Sequence, residues 1–304
     1  MTTDRQSTFP GPWLFAAWMG AILLIFHSTV IGAVRLGLHN DDASHILLIP
    51  FLSSFLIYFE RHRIFRAEGW DRALGIPLAL VATVIAVAGV WRGMSPDLPS
   101  GIELYLLSVV IFTIAGFALC FGKSAVKAAK FPLLLLLLMI PMPEVLRIHA
   151  VHALQTGSAA IVNELFELTG VPFLREGLVF HLSSVSIEIA EECSGIRSSM
   201  AVLILALVAA RFYLRTFWRQ LLFVVASLFI MIVKNGIRIA TLTLLSVYVN
   251  PSFLFGRLHH DGGVVFFLFG LVLLAPVLWV LKRTENAKGP VSVVENEIAA
   301  QADS

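Results

Sequence analysis

The sequence predicts an all-α integral membrane protein with about eight transmembrane helices, and with a small extracytoplasmic β-hairpin and an amphipathic helix before Cys193. Composition is the first reason: of 304 residues, 58% are hydrophobic and 14% are charged, against roughly 45–50% and about 25% in a soluble domain. The second reason is that the apolar residues form blocks close to the roughly 20 residues that a helix needs to cross a bilayer. The third is the distribution of basic residues among the loops, which indicates the orientation.

The apolar blocks give the order of the predicted helices. We interpret the first block as a transmembrane span, because it is longer than the apolar core of a signal peptide and no small-residue cleavage site follows it. Residues 1–12 are then a cytoplasmic tail, 13–282 the transmembrane domain, and 283–304 a disordered cytoplasmic tail. The second and fifth blocks are short or contain proline, which makes them the least typical spans. The predicted spans are 13–34, 44–59, 73–91, 103–122, 131–147, 196–212, 220–249 and 263–281.

Lysine and arginine are concentrated in alternate loops of this arrangement. Because cytoplasmic loops of membrane proteins are enriched in these residues, the pattern places both termini in the cytoplasm. It also places the long connection 141–194, and the loop with His259 and His260, on the outer side of the cytoplasmic (inner) membrane. The basic residues that carry this prediction are Arg61, Arg63, Arg66, Arg72, Lys123, Lys127, Lys130, Arg211, Arg215, Arg219, Lys282 and Arg283.

The outer connection contains two predicted elements. Residues 148–168 mix apolar and polar side chains with helical spacing, as in an amphipathic helix that lies on the membrane interface. Residues 178–182 and 185–189 each alternate between apolar and polar side chains, and a Ser-Ser pair separates them. Such alternation on both sides of a turn is typical of a β-hairpin, which we expect within 171–190.

Cys193 lies where this hairpin meets the sixth span. It follows Glu191 and Glu192 and precedes Gly195 and Arg197 in the run EECSGIRSS. A helix N-terminus carries a partial positive charge, and such a charge, or a nearby arginine, lowers the pKa of a thiol from about 8.5 toward neutrality. We therefore interpret Cys193 as a candidate nucleophile on the outer face. The alternative is a buried cysteine that packs as a small hydrophobe.

The other cysteine, Cys120, has a different environment. It lies in the apolar run ALCF near the cytoplasmic end of the fourth span, so we expect it to pack in the core. A disulfide with Cys193 is not expected, because the two residues lie on opposite sides of the membrane. The cysteines also lack the spacing of a metal site, and neither a metal nor a cofactor is expected.

The seventh span contains three polar residues that burial in lipid does not explain. Ionisable side chains within a membrane are costly and usually serve a function. A helix that starts near Gln220 carries Arg238 about 27 Å further on, to the same outer level as Cys193. The alternative for Arg238 is a snorkelling side chain. We expect Asn235, one turn away, to orient the guanidinium, and Lys234 to face elsewhere as a structural or lipid-facing charge.

Two histidines, His259 and His260, open the eighth span on the same outer side, and Asp261 and two glycines follow them. Histidines at an interface are often only solvated. An imidazole can, however, accept the proton of a thiol and return it to a departing amine. The pair is therefore a candidate partner of Cys193.

Four segments occur in a fixed order along the chain. They are IPMPEVL from Ile140, EECSGIRSS around Cys193, NGIRI from Asn235 and LHHDGGVVFF from Leu258. In this combination the chain resembles the exosortase/archaeosortase family of polytopic membrane transpeptidases, over nearly all of residues 40–282.

The resemblance implies an enzyme, a cysteine-type transpeptidase that cleaves the C-terminal sorting signal of exported proteins. That signal is a short Pro-Glu-Pro-type motif, followed by a hydrophobic helix and a basic tail. The resemblance also implies a thioester on the enzyme, transfer to an acceptor amine or lipid-linked group, and a functional link to exopolysaccharide export. The expected partners are membrane-bound protein substrates and the lipid bilayer, and not nucleic acid.

The resemblance gives roles to individual residues. Cys193 matches the nucleophile and Arg238 matches the arginine of the family. The family has a histidine four residues before the glycine of the last span, which selects His259 before Gly263, while the adjacent His260 leaves the register open. Some relatives have arginine at this position, so charge stabilisation is part of its expected role. The supporting residues are Asn235, Arg197 and Glu192.

Other readings of the same residues predict different behaviour. A transporter, or a carrier of lipid-linked groups, would bind an anionic substrate with Arg238 and the histidine pair, and its activity would survive loss of Cys193. A non-catalytic assembly component of an envelope polysaccharide system would form no acyl intermediate on a thiol. A serine-type intramembrane protease is disfavoured, because the sequence contains no G-x-S-x-G motif and no comparable Ser/His pair.

Overall fold

The computed structural model describes residues 11–66, 69–183, 185–191, 195–250, 252–255 and 263–287. This part of the chain is mainly helical and contains one three-stranded sheet. It divides into two compact units, Met1–Pro143 and Glu144–Ser304.

The first unit is built from helices. Its described elements are α1 (Gly11–Ile25), α2 (His27–His39), α3 (His45–Phe59), α4 (Arg61–Ile64), α5 (Arg72–Trp91), α6 (Pro99–Ala128) and α7 (Lys130–Leu135), with 3-10 turns at Asp41–Ala43 and Leu136–Met139.

Helices α5 and α6 form the main pair of this unit. Asp71 caps α5, because its carboxylate accepts a hydrogen bond from Leu74 N at 2.9 Å and so satisfies one of the free N–H groups at the helix start. The helices approach closely where Gly89 faces Tyr105: a Cβ at Gly89 would lie 3.0 Å from Tyr105 Cζ. Cys120 is buried in α6, which confirms its predicted core position.

Two predicted spans in this unit are wrong as continuous helices. The first, 13–34, consists of α1 and α2, which are bent by 78° with respect to each other. The fifth, 131–147, ends at Met139, and the next helix begins only at Glu144. The intervening Pro141 and Pro143 explain the break, since proline lacks an N–H donor and disfavours helical geometry in the residue before it.

The second unit combines helices with the sheet. Its described elements are α8 (Glu144–Thr169), β1 (Phe173–Glu176), β2 (Val179–Leu182), β3 (Ser186–Glu188), α9 (Ile196–Tyr213), α10 (Phe217–Tyr248), α11 (Ser252–Phe255) and α12 (Gly263–Ala287).

The sheet is antiparallel in the order β1-β2-β3. The predicted hairpin is confirmed as β2 and β3, in which Phe180 pairs with Ile187. The strand β1 was missed by the sequence prediction and pairs with β2 through Leu174 and His181. The sheet packs on α8, where the rings of Phe166 and Phe180 meet edge to face with centroids 5.8 Å apart, and this contact fixes the hairpin to the helix that precedes it.

The helix α10 is shared by two apolar cores. With 32 residues it is longer than the other described helices of this unit. One core joins it to α8 and the sheet, and the other joins it to α9 and α12. The buried members of the first core are Ala159, Val162, Phe166, Val171, Phe180, Leu182, Ile187, Ile189 and Ala240, and those of the second are Val202, Ala206, Ala210, Leu214, Phe223, Met231 and Leu274.

The apolar helices are those of an integral membrane protein. Within the described residues four helices are long and apolar enough to cross a membrane, or up to six if each of two bent pairs is one span. The predicted count of eight is therefore not confirmed. The four helical segments are Arg72–Trp91, Gly101–Ala128, Phe217–Tyr248 and Val264–Glu285.

The last helix, α12, extends beyond the predicted end of the transmembrane domain at residue 282. Glu285 accepts hydrogen bonds from Arg215 N at 2.9 Å and from Thr216 N at 2.8 Å. These contacts connect the end of α12 to the α9–α10 loop. The start of the predicted disordered tail, through Ala287, is thus helical, and residues 288–304 lie outside the described residues.

Candidate active site

The predicted site residues divide into two groups. Glu192, Cys193, His259 and His260 lie outside the described residues, and of Arg197 only the backbone, in the first turn of α9, is described. The remaining two, Asn235 and Arg238, lie on α10. The structure describes the chain on either side of residues 192–194, up to residue 191 and again from residue 195.

Before this tripeptide, the chain is attached to α8. Gln155 Nε2 donates to Ile189 O at 2.8 Å, while Ile189 N donates to Leu178 O at 3.0 Å on the other side. Arg147 contacts Glu144 through two hydrogen bonds, of 2.8 and 2.9 Å, and it also pairs with Glu191. The segment that leads to Cys193 is thus held by both α8 and the sheet.

The pairing answers a question that the sequence left open for Glu191. The sequence alone leaves open whether its carboxylate orients Arg197, orients Arg238 or faces water. In the structure Glu191 pairs with Arg147, and its side chain is 49% exposed. Its role is therefore to attach the chain to α8 at the protein surface.

After the tripeptide, the chain passes through Gly195, which precedes the first residue of α9. Its φ of 70° and ψ of 22° are left-handed, a conformation that a Cβ makes unfavourable. The carbonyl oxygen of Gly195 accepts two hydrogen bonds, from Ser199 N at 2.9 Å and from Ser198 Oγ at 3.0 Å. Both donors come from the first turn of α9, so this turn holds the glycine in place.

Asn235 supports Gly195 from α10. A Cβ at Gly195 would lie 2.7 Å from Asn235 Oδ1, so only glycine allows this close approach. The amide Nδ2 of Asn235 donates to Ser158 Oγ of α8 at 3.0 Å, and both residues are buried. Sequence reasoning had selected Asn235 but missed Ser158, which lies in α8 and gives no motif of its own.

Lys234 occupies a different position from the one expected. It is 1% exposed, and its Nζ donates to Ser198 Oγ. A Cβ at Gly270 of α12 would lie 3.2 Å from Lys234 Cδ, so the aliphatic stem runs over this glycine. The expectation of a lipid-facing charge is wrong. Lys234 and Arg238 are four residues apart and therefore share a helix face.

The crossing of α8 and α10 explains why these polar side chains meet. A Cβ at Gly157 would lie 2.7 Å from Ile232 Cγ2, and one at Gly236 would lie 2.5 Å from Ile161 Cβ. Small residues allow helix backbones to approach closely in membranes. The two glycines bring Ser158 within hydrogen-bond reach of Asn235.

The geometry has a chemical consequence. A reactive group carried by residues 192–194 would be anchored at both ends, to α8 before it and to α9 and α10 after it. Arg238 lies half-buried on α10, one turn beyond the residues that support Gly195. Arginine donates five N–H groups in a planar fork, which suits it to an anion that develops during a reaction.

These features define a class: a polytopic membrane protein in which a short cysteine-bearing segment is anchored between helices that also carry buried cationic and amide side chains. A family model described as Transmembrane exosortase (Exosortase_EpsH) matches residues 37–276. The match spans most of the sequence, and the chain belongs to the transmembrane exosortase family. No curated protein and no solved structure matches it.

Proposed function

We propose that this chain is a membrane-embedded cysteine transpeptidase that cleaves the C-terminal sorting signal of exported proteins through a thioester on Cys193. Exosortase family membership supports the reaction class. The observation that carries the proposal is the attachment of the chain two residues before and two residues after Cys193, where Glu191 contacts α8 and Gly195 contacts the first turn of α9. A nucleophile needs one defined geometry to react efficiently, whereas a cysteine that only packs needs no such anchoring.

The proposed reaction has two steps. The Cys193 thiolate attacks the scissile carbonyl carbon, the C–N bond breaks, and the amine departs with a proton donated by His259 or His260. The acyl group is then bound to sulfur as a thioester. In the second step an acceptor amine or lipid-linked nucleophile attacks this thioester, gives its own proton to the imidazole that lost one in the first step, and releases the thiolate.

Arg238 is proposed to stabilise either the thiolate or the oxyanion that forms at the carbonyl. Its place on α10 supports this role, because Asn235, about one turn earlier on the same helix, lies against Gly195. The side chains of Arg197 and Glu192, as supporting residues, are proposed to contribute charge near the thiol.

The proposed substrates are membrane-bound exported proteins with a Pro-Glu-Pro-type motif, a hydrophobic helix and a basic tail. We propose the cytoplasmic (inner) membrane as the location, with both termini in the cytoplasm and the reacting thiol on the outer side. The alternation of basic loops supports this orientation. We also propose that the enzyme works beside the machinery of exopolysaccharide export in the same lipid bilayer.

Trapping of the acyl intermediate tests the proposal directly. The full chain in detergent micelles is incubated with a synthetic peptide that carries the motif, about 20 apolar residues and an arginine-rich tail, and is then quenched in acid for mass spectrometry. We expect an acyl adduct on the peptide that contains Cys193. The matched control is Cys120→Ala, which removes the other thiol and should retain the adduct. Processing that continues in Cys193→Ala would overturn the proposal.

The role of Arg238 has its own test. Arg238→Lys keeps the charge but loses the planar fork, so we expect a kcat lower by roughly a hundredfold, as for removal of one oxyanion donor. Arg211→Lys, at the other end of the unit, is the control and should leave kcat unchanged. Full activity of Arg238→Lys would instead indicate a snorkelling side chain.

A serine-type reaction is the second candidate, because Lys234 Nζ donates to Ser198 Oγ and Ser-Lys pairs act as nucleophile and base in other hydrolases. The direction of the hydrogen bonds favours the cysteine. The single hydroxyl proton of Ser198 is donated to Gly195 O, so the hydroxyl accepts from the lysine rather than donating to it. An acyl adduct mapped to Ser198 in the trapping experiment would establish the serine route.

A further inference from the structure

The buried lysine of α10 is the group that the proposed reaction leaves unused. Lys234 is enclosed between α9 and α12, with 1% of its surface exposed. Burial of an ammonium group is costly unless hydrogen bonds compensate for lost water. An apolar residue would fill the same space at no such cost, so a charge at this position requires an explanation.

The hydrogen bonds of Lys234 lead toward the turn after Cys193. The Nζ donates to Ser198 Oγ, and Ser198 Oγ donates to Gly195 O at 3.0 Å. A chain of two hydrogen bonds thus runs from the ammonium group to the carbonyl of the left-handed glycine. Hydrogen bonds that involve a charged donor are roughly twice as strong as neutral ones, so the first bond fixes the rotamer of the serine.

The glycine is held on two sides by α10. Lys234 acts on its carbonyl through Ser198, and the next residue, Asn235, faces its Cα at the distance that excludes a Cβ. Two consecutive residues of α10 therefore constrain Gly195, which lies two residues after Cys193. The lysine differs from Asn235 in that it reaches this glycine only through another side chain.

We propose that Lys234 is a positioning residue, which, through Ser198, holds Gly195 in the conformation that aims the Cys193 thiol for reaction. The inference rests on the proposed function, since it assumes that the thiol must be aimed. It assigns the lysine a role through hydrogen bonding, and neither proton transfer nor contact with the substrate.

The test compares variants that break the chain at either link. All are made in a Cys120→Ala background, so that Cys193 is the single thiol. Lys234→Met keeps an unbranched apolar side chain, one atom shorter, and removes the donor. Ser198→Ala removes the relay, and Ser198→Thr retains a hydroxyl. Two readouts are measured: kcat and KM for cleavage of the synthetic sorting peptide, and the rate of iodoacetamide alkylation from about pH 6 to about pH 10, around the ordinary thiol pKa of about 8.5.

We expect Lys234→Met and Ser198→Ala each to lower kcat by roughly ten- to hundredfold, the scale of a small misplacement of reacting atoms, with KM unchanged. The kcat of the double variant should be no lower than that of the less active single variant, because both substitutions break the same chain of hydrogen bonds. Ser198→Thr should retain most of the activity. The alkylation rate should fall in the same variants, while the pH at its midpoint stays constant.

Two results would overturn the inference. If Ser198→Ala behaves as the parent while Lys234→Met moves the alkylation midpoint to higher pH, the lysine acts on the thiol by charge alone. If the losses of kcat in the two single variants multiply in the double variant, Lys234 and Ser198 do not act through one chain of hydrogen bonds. Misfolding is controlled by thermal unfolding in micelles. If Lys234→Met fails to fold, the comparison of Ser198→Ala with Ser198→Thr still tests whether the hydroxyl of residue 198 positions Gly195.

The experiment separates this inference from the proposed function. If Cys193 is not the nucleophile, no variant will form an acyl adduct on it. Alkylation of the thiol would nonetheless remain measurable, and its dependence on Lys234 and Ser198 would still report whether the hydrogen-bond chain positions residue 193.

Discussion

The chain is fixed on both sides of residues 192–194, but the two attachments differ in their exposure to water. Before the tripeptide, Glu191 pairs with Arg147, and their side chains are 49% and 30% exposed. After it, Gly195 is held by Lys234, through Ser198, and by Asn235, and these two α10 residues are each 1% exposed. The first attachment is a surface ion pair and the second a buried network.

This difference determines how rigid each attachment can be. Exposed ion pairs contribute little, because water and salt compete for both partners. A buried hydrogen bond has no such competitor, and loss of one partner leaves a polar group unsatisfied at a cost of about 1–3 kcal/mol. We infer that the buried network sets the precise geometry of the turn, whereas the Arg147–Glu191 pair only limits how far Glu191 can move.

The largest expected effect comes from Gly195→Ala. The left-handed conformation alone costs a residue with a Cβ about 1–2 kcal/mol, and the new Cβ would in addition lie 2.7 Å from Asn235 Oδ1. We expect peptide cleavage to fall by at least roughly a hundredfold, with a lower melting temperature. The control is Gly170→Ala, where φ is 69° and no atom lies within 4 Å of the added Cβ. If peptide cleavage falls equally in Gly195→Ala and Gly170→Ala, the contact with Asn235 is unimportant.

The next effect comes from separation of α8 and α10. In Gly236→Ala the Cβ would lie 2.5 Å from Ile161 Cβ, and overpacking of this kind costs about 1–3 kcal/mol. We expect a lower melting temperature and a weaker attachment of Asn235 to Ser158. Gly20→Ala in α1, where an added Cβ meets nothing within 4 Å, is the control. An unchanged melting temperature in Gly236→Ala would argue against a tight crossing.

An effect of similar size is expected from Asn235→Ala, which deletes the amide that donates to Ser158 Oγ. The buried serine loses a partner, with an expected loss of about 1–3 kcal/mol in the free energy of unfolding. The matched control is Asn163→Ala on α8, whose amide donates to Glu167 on the exposed side and should change stability by at most about 0.5 kcal/mol. Chemical denaturation in micelles measures both. Similar values for the two asparagines would remove the distinction between buried and exposed attachments.

The smallest effect is expected from Arg147→Gln, which breaks the surface pair with Glu191. Because salt screens exposed charges, the rate of peptide cleavage by the parent at high ionic strength should approach the rate of the variant. The measurement is peptide cleavage in low and high salt, with Arg175→Gln on the sheet as control. If Arg147→Gln lost as much peptide cleavage as Gly195→Ala, and the loss persisted in high salt, the ranking of the two attachments would be reversed.

The apolar pattern was sufficient to predict much of this unit. Strong periodicity and length located α9, α10 and the hairpin of β2 and β3, and the cost of charge in a membrane drew attention to Arg238 and Asn235. The break at Pro141 and Pro143 lies in a block that its prolines already mark as an untypical span. The bend between α1 and α2 was missed, because a hydrophobic block has the same composition whether its helix is straight or bent. No proline lies at the bend between α1 and α2, where Phe26 is buried and its ring packs against Phe112.

The partners of the polar residues could not be predicted in the same way. Periodicity indicates which face of a helix is polar, but it does not say which neighbour approaches that face. Ser158 gave no signal, since a serine in a helix interior is common and its value here comes from the crossing with α10. Lys234 was misplaced for the same reason: its position one turn before Arg238 was visible, but the enclosure by Ser198 and Gly270 was not.

The length of α10 links these buried groups to the lipid around them. Its 32 residues extend about 48 Å, while the hydrocarbon core is about 30 Å thick. Even at a tilt of about 40°, the upper end of the usual range, the helix rises about 37 Å, so at least one end stands outside the hydrocarbon. A membrane of different thickness therefore changes the depth of the half-buried Arg238 relative to the lipid headgroups, whereas Lys234 and Asn235 stay enclosed by protein whatever the acyl chain length.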